Sequence, residues 1–266
     1  MSDAIAPNGA SQSNAGKLIN YLSIAAITLG LGLALYALVA PIGVWLGFWD
    51  FRQGFSLLRS AAPFALWIAG LGLVATIAGT VGAYSLKLGN NTSLTTYALV
   101  ATIAAGLAYT IPTAYRTTDA PPIHDITTNT DNPPDYVAIA PLRADAANSM
   151  IYGDSRNMTP ERLAGLQQEA YPDIVPQRFN ESLEVVFERV VAAVDQLGWE
   201  LVDASLEDGR IEATDTTFWF RFKDDVIILL TEEGGATVLN ARSLSRVGGS
   251  DFGANAGRLR ELFALL

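Results

Sequence analysis

The sequence contains no cysteine, and its 266 residues include a single histidine. The first absence excludes disulfides, zinc–thiolate sites, iron–sulfur clusters and thiol nucleophiles. The second excludes a three-histidine metal centre. Charge is missing too, but only locally. Between Lys17 and Arg52 the one charged residue is Asp50, and none lies between Arg59 and Lys87 or between Lys87 and Arg116. Downstream it is bases that are scarce. Residues 1–116 hold five of the 17 bases and two of the 27 acids, which leaves 12 bases against 25 acids, net −13, in the rest. A domain this acidic repels nucleic acid, so no DNA or RNA partner is expected.

The charge-free stretches are apolar. A helix needs about 20 such residues to cross roughly 30 Å of hydrocarbon. Leu18–Ala40, Ser60–Leu86 and Leu94–Ile111 meet that length, and a core helix of a soluble protein rarely runs so far without a polar face. The expectation is a three-helix transmembrane domain over residues 17–116, behind a polar, disordered leader over 1–16. The first stretch is read as a retained helix and not a cleaved signal, because Leu38 and Ala40 make a poor cleavage site. Ala75, Gly79 and Gly82, and likewise Ala78 and Gly82, recur at helical spacing. They mark either close helix packing or simply an Ala- and Gly-rich helix. No ionisable residue sits mid-span, which argues against an ion or proton path. Residues 43–58, GVWLGFWDFRQGFSLL, bring Trp45, Phe48, Trp49, Phe51 and Phe55 beside the spans. They read as aromatic anchors in the headgroup layer, or as a lipid- or partner-docking segment. Lys17 and Lys87 flank one side, and Arg52, Arg59 and Arg116 the other, a margin of one toward a cytoplasmic C-terminal domain.

Residues 117–176 are rich in Pro, Asn, Asp and Thr and read as an extended segment with turns. Thr159-Pro160-Glu161 starts a short helix within it, ending near Ala170. Over 177–266 the pattern is that of an α+β domain. Leu183, Phe187, Val190, Val194 and Leu197 form one face of a helix stopped by Gly198. Short β-rich runs follow at about 199–206, 210–217, 218–223, 225–231 and 236–246, with Asp208-Gly209 as a hairpin turn and Asp224-Asp225 and Glu232–Gly235 as further turns. A last helix spans about Ala254–Leu265, with Ser250 or Asp251 as cap. The fold class is thus membrane α-helical, with three transmembrane helices, plus a C-terminal α+β domain whose antiparallel sheet is flanked by helices.

Two polar groupings carry the candidate chemistry. Alternation in 241–255 puts Arg242 and Arg246 on one face of a strand and Ser243 and Ser245 on the other, ahead of Asp251, Asn255 and a helix N-terminus. Arginines, hydroxyls and free N–H groups together suit a phosphate or carboxylate. The structural alternative pairs Arg242 or Arg246 with Asp251, Glu212 or Asp225. The second grouping is His124, Asp125, Glu212 and Asp225, a mixed metal or acid–base set. Otherwise His124 pins the extended segment to the sheet. No nucleophile elbow frames Ser243 or Ser245, and the glycines match neither a P-loop nor a dinucleotide fingerprint. No catalytic residue, cofactor or resident metal is therefore assigned.

PPIHDITT (121–128), IEATDTT (211–217), RFKDDV (221–226) and ARSLSRVGGSDFGANAGRLREL (241–262) together resemble the bacterial and plastid family called domain of unknown function 1499. Asn240 and Gly249 depart from its pattern, standing where an acid and a base are usual. The resemblance implies a multi-span bacterial form with no established activity, in the inner membrane, its folded domain on the periplasmic side by likeness to lumenal plastid members. The expected function is a membrane-anchored, non-enzymatic protein that binds a lipid, a small anionic ligand or an envelope partner through its folded domain. Alternatives are a membrane-bound hydrolase using His124 and Asp125 with the sheet carboxylates, and a scaffold subunit of a membrane complex.

Overall fold

The structure, a computed structural model, describes residues 12–114, 119–155 and 157–266, with the backbone alone over 108–114. Most of the expected leader and Arg116 lie outside the described residues. The chain divides into two compact units, Met1–Thr117 and Thr118–Leu266.

The first unit is three helices: α1 (Asn14–Trp45), α2 (Phe51–Tyr84) and α3 (Thr92–Ala114). Ser13 starts α1 by accepting from the Gly16 N–H, and Asp50 starts α2 by accepting from Gln53. Two helices, α1 and α2, are long and apolar enough to cross a membrane, not three. The expected third span falls on α3, whose apolar stretch with described side chains, Thr92–Leu107, is shorter than that. The helices meet through small residues. Ala75, Gly79 and Gly82 are buried on α2, and a Cβ added at Gly79 would collide with the Thr95 side chain of α3. Close approach is thus built into the spacing, and a larger residue there would push the helices apart. Residues 43–58 are no separate segment: they are the end of α1, a short turn and the start of α2. Trp49 packs on Gly43 and donates to the Ala40 carbonyl at 2.9 Å, while Trp45 and Phe48 stay exposed.

The second unit is a six-stranded antiparallel sheet with three helices. Its elements are β1 (Asp125–Thr127), α4 (Pro160–Ala170), β2 (Gln177–Phe179), α5 (Leu183–Gln196), β3 (Glu200–Ser205), β4 (Arg210–Thr216), β5 (Lys223–Glu233), β6 (Ala236–Ser245) and α6 (Ala254–Phe263). The sheet order is β1-β6-β5-β4-β3, with β2 also on β6. The Pro-rich segment therefore belongs to this domain: β1 is a strand of its sheet, pairing Asp125 with Leu244 and Thr127 with Arg242. Two readings change. Of residues 218–223, 218–222 form the tip of the β4–β5 hairpin and Lys223 opens β5, and Asp224-Asp225 is no turn but part of that strand.

One face of the sheet carries the apolar core. Ile211, Ala213, Val226, Ile228, Leu239 and Ala241 meet Val186, Val190 and Val194 of α5 and Leu259 and Leu262 of α6. Each buried Val, Ile or Leu among them contributes about 1.5–3 kcal/mol. The other face is covered by a strap, residues 128–155, whose only regular element is a 3-10 turn at Ala140–Arg143. Tyr136 and Ile139 of the strap pack on Ile227 and Leu244.

Candidate functional site

Strand pleating sends alternate residues of β6 to opposite faces. Arg242 and Arg246 face the strap, whereas Ser243 and Ser245 face α6. The two halves of the expected anion site therefore lie on opposite sides of the sheet.

On the strap side the buried charges are partnered. Arg242, only 1 % exposed, holds Asp125 in a two-pronged bond, Nε to Oδ1 and Nη2 to Oδ2, both 2.8 Å. Its remaining N–H groups donate to strap carbonyls, Nη1 to Pro134 at 3.2 Å and Nη2 to Met150 at 2.7 Å. The rings of Tyr136 and Tyr152 flank its guanidinium carbon at 5.4 and 5.7 Å. Asp225 is fully buried and receives two arginines. Arg246 donates Nε and Nη2 at 2.8 Å each, Arg143 of the strap donates Nη1 at 2.5 Å, and Thr214 adds its hydroxyl at 2.7 Å. Glu212, also fully buried, accepts three successive strap N–H groups, Val137 at 2.9, Ala138 at 3.1 and Ile139 at 2.8 Å. It thereby fixes the strap just ahead of the 3-10 turn. Such charge-assisted bonds are about twice as strong as neutral ones, and a carboxylate spread over several donors has little left to offer a ligand.

On the helix side the polar groups form a second closed set. Asn255 donates to the His124 carbonyl at 2.9 Å and to the Ser245 hydroxyl at 3.0 Å, and accepts from Ser243 at 2.6 Å. Arg258 joins it, donating to the Asn255 side-chain oxygen at 2.6 Å and to Asp215 and Asp224 at 2.7 and 2.8 Å. Its charge is held more firmly than usual: burial opposes it, and the two aspartates outweigh that. Asp251 takes the N–H groups of Gly253 and Asn255 at 2.8 and 2.9 Å. The N-terminus of α6, expected to offer free donors, is filled by the chain's own carboxylate. Burial raises the Asp251 pKa, against those two bonds.

The sequence offered Asp225 as a partner for the arginines, and Arg246 takes it. Arg242 takes Asp125 instead, a residue 117 positions away with no local signal linking the two. Arg143, Arg258, Asp215 and Asp224 escaped sequence reasoning. Arg258 sits among the helix-face residues of α6 and could have been suspected of burial, while nothing near Arg143 marks it.

His124 does pin the chain, but through its backbone: its carbonyl accepts from Ser245 N–H as well as from Asn255. Its ring is partly buried, Nδ1 has no partner, and burial lowers its pKa, with Asp125 opposing. The small cavity beside it, lined by His124, Asp125, Ser149, Ile151 and Asp154 among others, measures about 10 Å³. That is roughly the room one water needs. Among the described residues no group of three His, Asp or Glu is placed to hold a metal ion.

A family model described as protein of unknown function (DUF1499) matches residues 125–266, more than half of the chain. The chain belongs to this family. The match opens at Asp125, the first residue of β1, and takes in every ion pair of the strap side. Comparison with curated proteins and with solved structures finds no match.

Proposed function

We propose that this DUF1499 protein is a membrane-anchored, non-enzymatic module whose folded domain meets its partner at the membrane. Helices α1, α2 and α3 form three spans of a bacterial inner membrane, and the sheet domain lies on the periplasmic side. The domain binds lipid or an envelope partner with its outer surface. Arg242, Ser243, Ser245, Arg246, Asp251 and Asn255 act as the frame of that surface, not as its ligand contacts.

The observation that carries the reading is the engagement of the buried charges. Asp125, Glu212 and Asp225, the carboxylates a hydrolase would need, are each tied by at least two charge-assisted or backbone bonds. His124 alone keeps a free ring nitrogen, and one imidazole beside a one-water cavity has neither a paired acid nor room for a substrate. The anchor is supported separately. Only 22 % of the apolar window of α1, and of α2, is buried within the chain, so most of that apolar surface needs a cover from outside the chain, which a bilayer supplies.

Alkaline extraction of membranes tests the anchor: the full chain stays in the pellet, and its release would remove the reading. Reporters fused after Leu266, one active only outside the cytoplasm and one only inside, test the side. A signal from the internal reporter would overturn the periplasmic assignment and return phosphorylated metabolites to consideration.

A further inference from the structure

The β4–β5 hairpin ends in Thr217-Phe-Trp-Phe-Arg-Phe-Lys223, the densest aromatic run of the sheet domain. Phe218 and Trp219 are 64 % and 57 % exposed at its tip, and Arg221 and Lys223 are exposed beside them. The tip is ordered by its own bonds: Thr217 N–H donates to the Phe222 carbonyl at 2.8 Å, and Phe222 N–H donates to the Thr217 hydroxyl at 2.9 Å. Phe218 and Trp219 meet edge to face at 5.2 Å, and Phe220 stacks with Phe222 at 6.1 Å. The β-rich composition of this stretch suggested a strand, and the exposed rings leave its aromatic content unexplained by the core.

Its position in the sheet decides what it faces. β1 runs antiparallel to β6, so the chain arriving from α3 reaches the sheet where β6 ends. Asp125 pairs with Leu244, and Ser245 N–H donates to the His124 carbonyl. The hairpin tip is at that same end: Asp224 pairs with Ser245, and Arg246 N–H donates to the Lys223 carbonyl at 3.0 Å. Phe252, 52 % exposed, adds a further ring there, because its neighbour Asp251 donates its N–H to the Ile123 carbonyl at 3.0 Å. The opposite end carries the Leu206–Gly209 and Glu232–Gly235 turns, with Glu207, Asp208, Glu232 and Glu233. Acid-rich turns lie at the far end, whereas the end where β1 begins carries the aromatics with two exposed bases, Arg221 and Lys223, alongside the exposed Asp119, Asp145 and Asp154.

We infer that the 217–223 hairpin tip, with Phe252, is a bilayer-docking surface that inserts Phe218 and Trp219 among the headgroups of an anionic phospholipid membrane. The inference rests on the anchor reading above and adds the partner of the domain. Aromatic rings favour the interfacial layer, and each base near an anionic surface adds attraction. The bases also offset the repulsion that the rest of the domain would meet there.

Because the chain has no cysteine, single labels are simple to place. Nitroxides are attached to full-length Phe218→Cys, Glu233→Cys and Val74→Cys. Each variant is reconstituted in vesicles of phosphatidylcholine with about one third phosphatidylglycerol. Accessibility to oxygen and to a water-soluble nickel chelate then reports depth. The label at 218 should lose nickel accessibility and gain oxygen accessibility, while the label at 233 stays aqueous and the one at 74, in α2, is in lipid. Adding Arg221→Glu and Lys223→Glu should lower the inserted fraction on the order of tenfold. An aqueous label at 218 with a lipid-buried label at 74 overturns the docking surface and leaves the anchor standing. An aqueous label at 74 overturns the anchor itself. Spin–spin broadening at 218 with no change in depth overturns the bilayer as occupant in favour of a second copy.

Discussion

The two faces of the sheet are covered by different physics. On one, α5 and α6 lay Val186, Val190, Leu259 and Leu262 against Ile211, Val226 and Ile228, and the contact is mostly apolar, with one polar set around Asn255 and Arg258 at the start of α6. On the other, a strap with little regular structure is held by buried charges: Arg242, paired with Asp125 of β1, donates to the Pro134 and Met150 carbonyls, Arg143 of the strap meets Asp225, and Glu212 accepts three successive strap N–H groups. A helix satisfies its own backbone and needs only apolar contact to dock. A strap brings unpaired N–H and C=O groups against the sheet, and these must find partners there or cost about 1–3 kcal/mol each. Arg242 and Glu212 supply those partners, which explains why charged residues sit where the alternation calls for apolar ones.

That contrast can be broken by mutation, and the effects should fall in order. Asp225→Ala leaves Arg143 and Arg246 buried without their carboxylate. It should cost about 3–5 kcal/mol, read as a large drop in the unfolding midpoint of the full chain in detergent. Leu259→Ala on the helical face should cost about 2–5 kcal/mol through a cavity, but leave the hydrogen exchange of Val137, Ala138 and Ile139 unchanged relative to global unfolding. Should that change open the strap first, the faces are not separate. Glu212→Gln keeps the shape but swaps one acceptor oxygen for a donor facing the strap N–H groups. A loss of about 1–3 kcal/mol is expected, with faster exchange confined to Val137–Ile139.

The smallest effect is a pH dependence. The folded protein lowers the His124 pKa, because burial disfavours the imidazolium. Above the unfolded value near 6.5 both states hold a neutral ring and the group contributes nothing. As pH falls below that value the unfolded chain binds the proton first, so stability declines until the lower folded pKa is reached. His124→Gln should flatten that decline, and an unchanged slope would assign it to other groups.

Much of the domain was legible in the sequence because its signals are local. The α5 face recurs every three to four residues, Asp208-Gly209 makes the β3–β4 turn, and the alternation in β6 sorts Arg242 and Arg246 from Ser243 and Ser245. What stayed hidden depends on distant partners. Asp224-Asp225 has the look of a turn, and only Arg143, Arg246 and Arg258, brought in by the strap, by β6 and by α6, make it a strand. β1 and β2 are three residues each, too short for a period to show. The site suffered the same way. One face of β6 was taken together with the other because they are adjacent in sequence, and the partner of Arg242 lies 117 residues upstream.

The central claim is that the buried charges hold the strap and bind nothing else. Its most direct test is a mutant cycle on a deeply buried pair, Asp125 and Arg242, followed by thermal unfolding of the full chain. Asp125→Leu and Arg242→Met should each cost about 3–5 kcal/mol by stranding the other charge, and the double variant should recover much of the loss. If Arg242→Met is as stable as the parent chain, the arginine is not holding the fold, and its buried position would belong to a binding site.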